Sequence, residues 1–164
     1  MSDSSGMMPT GPSPRDKTSS FNDILAIPNS VNQLPQWQRE PFCRFVRLQQ
    51  RNWPAKRVKQ RTVQLCGRMV SMFQNLNGRG VCQDWTDWTV RLIEAFIYDK
   101  LREGRAATTV NWHLYQFRSF CKFAIDEGYP LPHILTRIKV LDQPKRLPRP
   151  LSDEQVQRLE ACIQ

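Results

Sequence analysis

Apolar residues recur every three or four positions along most of this chain, and no stretch sustains the alternation expected of a strand. The spacing predicts four amphipathic helices. The first runs from about Pro41 to Arg51, with Phe42, Phe45 and Val46 inside. Pro41 suits the first helical turn, where a missing N–H costs no bond. The second starts after Trp53-Pro54 and runs to about Leu76, burying Val58, Leu65, Met69, Met72, Phe73 and Leu76. Asn77-Gly78 ends it, with Gly78 as a left-handed cap. The third begins near Asp84 or Thr86, both suitable N-caps, and buries Leu92, Ile93, Phe96, Ile97 and Leu101 before Gly104. The fourth begins at Thr108 or Thr109, carries Val110, Leu114, Phe117, Cys121 and Ala124 as its stripe, and closes at Gly128. Four such stripes imply an all-α fold, a compact four-helix bundle.

The flanks read differently. Residues 1–34 are rich in Ser, Pro, Gly and Asn and are expected to form a disordered leader. Within it, Phe21, Ile24, Leu25 and Ile27 make an apolar patch that either docks as a turn or packs near the start of the domain. The bundle itself is assigned to residues 35–138. Residues 139–151 are basic and Pro-rich, which predicts an extended, semi-rigid linker. Residues 152–164 open on Ser152 and Gln155, spaced as a capping box, and continue with Val156, Leu159 and Ile163 on one face. This is expected to be the first helix of a second domain that the chain does not contain.

With 164 residues, 40% apolar and 24% charged, the composition is that of an ordinary globular domain. No apolar run approaches a bilayer span and no signal-peptide core is visible, so a cytoplasmic protein without a membrane partner is expected. Cys43, Cys66, Cys82, Cys121 and Cys162 form no C-x-x-C pair, which argues for reduced, buried thiols rather than zinc. No cofactor is expected. The net charge of +9 is concentrated: between Arg39 and Arg79, ten basic residues face one acid, Glu40. A field of that kind attracts polyanions, nucleic acid first among them.

Helical angles of about 100° per residue sort the polar side chains. On the second helix, Lys56, Arg57, Gln60, Arg61, Gln64 and Arg68 fall away from the stripe with no acid among them. Lys and Arg suit phosphate, and Gln can bind phosphate or an adenine edge. On the fourth, Thr108, Asn111, Trp112, Tyr115, Arg118, Ser119 and Lys122 lie opposite the stripe. Asn and Arg read base edges, and Thr binds phosphate near a helix start. Thr108, Asn111, Tyr115, Arg118 and Lys122 join the candidate DNA-binding set. Trp112 either stacks on nucleic acid or covers another helix. His113 and His133 have no ligand partners and read as packed or surface imidazoles. Trp85 and Trp88 read as core anchors.

The stretch from Leu101 to Gly128 resembles the last helix pair of the core-binding, SAM-like domain of tyrosine recombinases, the phage integrase family. Gly104, Thr109, Leu114, Phe117, Phe120, Ala124, Glu127 and Gly128 carry the resemblance. It continues through the linker into Leu147-Pro148-Arg149-Pro150-Leu151-Ser152-Asp153-Glu154-Gln155, which is similar to the opening of that family's catalytic domain. Ala106 departs from the family's usual Ser, and Trp53-Pro54-Ala55-Lys56-Arg57 replaces its usual Ser-x-x-Thr loop.

The resemblance implies a four-helix SAM-like bundle that clamps double-stranded DNA, with the second and fourth helices on the major groove and flanking backbone. In an intact parent it implies further recombinase protomers on the same DNA. It also implies catalytic residues that are not found here. His113 is followed three later by Gln116 and His133 by Thr136, so neither makes His-x-x-Arg. Tyr98, Tyr115 and Tyr129 fall in the wrong domain for the nucleophile. The chain is therefore expected to bind DNA without being an enzyme by itself. The alternative is a helical protein-interaction module whose basic face takes an acidic partner.

Overall fold

Five α-helices carry the fold, and no strand occurs among the residues described by this computed structural model, namely 6, 25–80, 82–143 and 150–163. They are α1 (Gln36–Asn52), α2 (Val58–Asn77), α3 (Val90–Arg102), α4 (Ala107–Asp126) and α5 (Asp153–Ile163). Short 3-10 turns precede α1, α2 and α3, and another, His133–Arg137, follows α4. No described helix is long and apolar enough to cross a membrane.

Helix α1 starts five residues before the expected Pro41. Pro35 precedes it, its carbonyl accepting the N–H groups of Gln38 and Arg39 at 3.0 Å each. Pro41 thus sits in the second turn and removes one intrahelical bond. The early turn is held by tertiary contacts. Trp37 meets Trp85 edge-on at 4.7 Å, and the fully buried Gln38 exchanges two 2.9 Å bonds with Asn77.

Helix α2 follows a 3-10 turn, Ala55–Arg57, and ends at Gly78, which is right-handed (φ −75°, ψ −9°) and not the left-handed cap expected. The left-handed glycines are Gly104 (φ +82°) and Gly128 (φ +91°). Each closes a Schellman motif. Arg105 N–H reaches Lys100 O and Tyr129 N–H reaches Ala124 O, both at 3.0 Å.

The start signal at Asp84 belongs to a separate turn, Trp85–Asp87, where Asp84 and Asp87 form a capping box. Helix α3 begins later, with Thr89 Oγ1 accepting Leu92 N–H at 3.4 Å. Leu101, expected inside, is exposed. Neither Thr108 nor Thr109 caps α4, since both lie within the helix and Ala106 precedes it without a side-chain cap.

The core joins α1, α2, α4 and the loop before α3 through aromatic rings. Phe73 of α2 lies 5.4 Å from Phe42 of α1, 4.9 Å from Trp88, and 6.5 and 5.1 Å from Phe117 and Phe120 of α4. The packed body reaches beyond the residues 35–138 assigned from sequence. Val31 and Leu34 are buried, which corrects the end of the leader, and Val140 and Leu141 pack on the core at the expected linker start. The rest of the leader, Gly6 and the residues from Leu25 on excepted, lies outside the described residues, as do 144–149 of the linker.

In α5, Gln155 Oε1 accepts Ser152 N–H at 3.1 Å, the reaching-back half of the expected box, while Gln155 N–H goes to the Ser152 carbonyl. No residue of α5 is buried. Of the thiols, Cys66 and Cys121 are buried, Cys43 and Cys82 half-buried, and Cys162 exposed. Burial pushes Cys66 up to about 12 and raises Cys121 further still, so both stay protonated and inert.

Phe73→Ala is expected to cost about 3–5 kcal/mol in urea unfolding, because four aromatic neighbours lose one partner. Tyr115→Ala, on the outer face of α4, is expected to change stability by less than about 0.5 kcal/mol in the same assay.

Candidate nucleic-acid interface

With its apolar face fixed by Phe73, α2 turns its other side to solvent. Lys56, Arg57, Lys59, Gln60 and Gln64 are exposed, and Arg61 and Arg68 are half-buried. None of these five cations lies within ion-pair distance of a carboxylate among the described residues. The first turn of α2 contains no acid, and its N-cap position is Arg57. Cations at a helix N-terminus oppose its macrodipole, at a cost of about 0.3–1 kcal/mol each at an exposed site. The arrangement does not serve helix stability.

The basic face continues onto α4. The Arg68 guanidinium stacks over the Trp112 ring, 4.6 Å from its centroid. A stacked Arg keeps its outward N–H groups free while the ring fixes its position. Trp112 therefore covers a neighbouring helix, as one of its two expected roles allowed. Two open hollows flank the pair. One, of about 280 Å³, is lined by Trp53, Arg61, Gln64, Leu65, Trp112 and Gln116. The other, of about 340 Å³, is lined by Gly67, Arg68, Ser71, Lys100, Arg105, Thr109, Val110 and His113.

The expected α4 residues divide. Thr108, Tyr115 and Lys122 are exposed. Asn111 is not available to a base: it is 2% exposed, and its amide donates to Leu141 O at 2.8 Å and accepts Leu141 N–H at 2.7 Å. Arg118 is half-buried and donates Nε–H to Thr136 O at 3.2 Å. Both lie on the flank of α4 that the segment after Pro132 covers. The helical wheel placed them outside the stripe because it could not anticipate that covering. The opposite flank carries Thr109, Trp112 and Gln116 toward α2.

Lys59, Lys100, Arg105, Thr109 and Gln116 were missed as site residues. A sequence signal existed for Arg105: it follows Gly104, whose left-handed turn folds the chain back beside Lys100. Glu103 lies 3.3 Å from Lys100 Nζ and 3.8 Å from Arg105 Nε, so one carboxylate serves two cations.

His113 is 8% exposed, with Nδ1 bonded to Thr109 O at 2.9 Å. Burial lowers its pKa, the Thr109 bond opposes this, and Arg68, Lys100 and Arg105 push it lower still. Because the unfolded chain takes this proton at about its ordinary value and the folded chain only at lower pH, stability falls as pH drops through that window. Acidification from about pH 7.5 to about pH 5 is expected to lower Tm, and His113→Gln to flatten that dependence in a thermal-melt series.

No protein-family model matches the chain, and no curated protein or solved structure does.

Proposed function

We propose that this chain binds duplex DNA through the face made by α2 and the adjoining flank of α4, as the core-binding domain of a tyrosine recombinase. The observation that carries the reading is the row of outward, unpaired cations at Lys56, Arg57, Lys59, Arg61 and Arg68. Unpaired cations held against a helix dipole are what phosphate binding requires and what folding alone disfavours. Arg68 on Trp112 offers a rigid edge to the backbone. Tyr115, Thr108 and Lys122 lie further round α4 and would contact flanking phosphates or sugar.

The recombinase assignment rests on the resemblance from Leu101 to Gly128 and on the opening of α5. Left-handed Gly104 and Gly128, which bracket α4, support it by giving the signature glycines a backbone need. In this reading α1–α4 are the SAM-like bundle. Strand exchange belongs to a catalytic domain whose His-x-x-Arg and nucleophilic Tyr are not among these residues.

With about five phosphates neutralised, log K is expected to fall against log salt with a slope of roughly −4 to −5, at micromolar or weaker affinity in physiological salt. A gel-shift titration measures this, and a flat response removes the phosphate contacts. The double change Arg57→Glu/Arg61→Glu is expected to weaken DNA binding by more than about tenfold. The same change is expected to raise Tm by about 1–4 °C, since it relieves the helix start. That opposite movement separates lost contact from lost fold. Unchanged DNA binding in the double variant would favour the acidic-protein partner instead.

A further inference from the structure

We propose that the hollow between α2, the end of α3 and the start of α4 is a phosphate-binding pocket. This goes beyond the general basic face: it assigns one group of residues, most of them outside the helix stripes that suggested DNA, to one anion.

Three cations from three elements converge on it: Arg68 of α2, Lys100 of α3 and Arg105 of the turn after Gly104. Among the described residues, only Glu103 pairs with any of them. It is shared between Lys100 and Arg105, does not line the hollow, and leaves Arg68 without an acid. The local balance is two positive charges. Ser71 and Thr109 add hydroxyls. Gly67 lines the hollow with backbone alone, and the space above it is open, since a Cβ there would meet nothing within 4 Å.

Arginine offers a planar fork, lysine a point charge, and the hydroxyls can turn to suit. Together these donors exceed what the two oxygens of a carboxylate can accept, and they suit the several oxygens of a phosphate. His113 lines the same hollow. Thr109 O holds its Nδ1, and no described protein group bonds Nε2. The three cations that suppress its protonation are those an anion would neutralise. A bound phosphate and a proton on His113 therefore favour one another.

The phosphate could belong to a DNA backbone or to a free phosphate. The first source rests on the proposed function, and the second does not. The test uses the full chain with NMR observation of the His113 ring and the Ser71 and Thr109 amides. Inorganic phosphate is titrated against chloride at matched ionic strength. Phosphate is expected to raise the His113 pKa by about half a unit or more and to move both amides, with chloride doing neither. Lys100→Gln/Arg105→Gln is expected to cut phosphate affinity by at least about tenfold with Tm held, while Arg91→Gln, an exposed position of α3 outside the hollow, leaves it unchanged.

If a DNA backbone is the source, duplex DNA abolishes the phosphate response and the double Gln variant weakens DNA binding. If DNA affinity does not change while phosphate still binds, the pocket stands for a free phosphate. Equal responses to phosphate and chloride, or wild-type phosphate binding by the double Gln variant, would overturn the pocket. A DNA affinity lost only in Arg57→Glu/Arg61→Glu, with no phosphate response, would overturn it too and leave the DNA reading intact.

Discussion

The rotation of α2 about its own axis is the constraint on which the rest depends, and Phe73 sets it. That ring contacts Phe42, Trp88, Phe117 and Phe120, so one side chain ties α2 to α1, to the loop before α3 and to α4. Turning α2 by one residue, about 100°, would withdraw Phe73 from all four and bring polar side chains toward the core. Losing a buried aromatic costs about 3–5 kcal/mol, whereas the dipole cost of about 0.3–1 kcal/mol for an exposed cation in the first turn depends on its place along the axis and is the same at any rotation. Core packing therefore decides the direction in which the cations of α2 point.

Apolar periodicity made the inner faces of α2 and α4 legible, and Gly104 and Gly128 marked real helix ends. It failed where polar side chains complete a buried stripe. On α1 that stripe runs Gln38, Phe42, Phe45, Val46, Gln50, with a glutamine at each end. A wheel that counts only apolar residues loses the first turn of such a helix. Asp84 misled for a different reason: it is a genuine cap, but of a three-residue turn that seats Trp85 before α3 begins. The candidate site was half visible. The basic face of α2 came from charge placement and helical angles, whereas Lys100 reaches it through the packing of α3 and Arg105 through the chain reversal at Gly104.

Three buried amides do the fastening that apolar contacts leave unspecified. Gln38 pairs with Asn77, whose Oδ1 also accepts Trp88 Nε1–H at 3.3 Å, so α1, α2 and the loop before α3 share one polar junction. Gln50 donates to Thr62 Oγ1 at 3.0 Å and to Leu25 O at 3.2 Å, while Arg47 adds a 2.6 Å bond to the same carbonyl. Asn111 holds both backbone groups of Leu141. Each amide must find these partners or lie buried without them, at a cost of about 1–3 kcal/mol per lost bond. The junctions therefore specify where the segments before α1 and after α4 lie, which hydrophobic contact alone would fix poorly.

Helix α4 consequently has two working flanks. Asn111 and Arg118 bind the segment after Pro132, and Trp112, Thr109 and Gln116 face α2. A change on one flank should leave the other in place because the stripe between them is locked in the core. The acids follow the same division. Glu94, Asp99 and Glu103 lie on or beside α3, and Asp126 and Glu127 at the end of α4, while α2 has none. The four ion pairs among the described residues use Asp99, Glu103 and Glu127, and none of them takes in Lys56, Arg57, Lys59, Arg61 or Arg68. The positive field is thus produced as much by where carboxylates are withheld as by where lysine and arginine are placed. A surface polarised in this way orients an approaching polyanion before any contact forms, and its effect weakens as salt shortens the Debye length to about 8 Å at physiological strength.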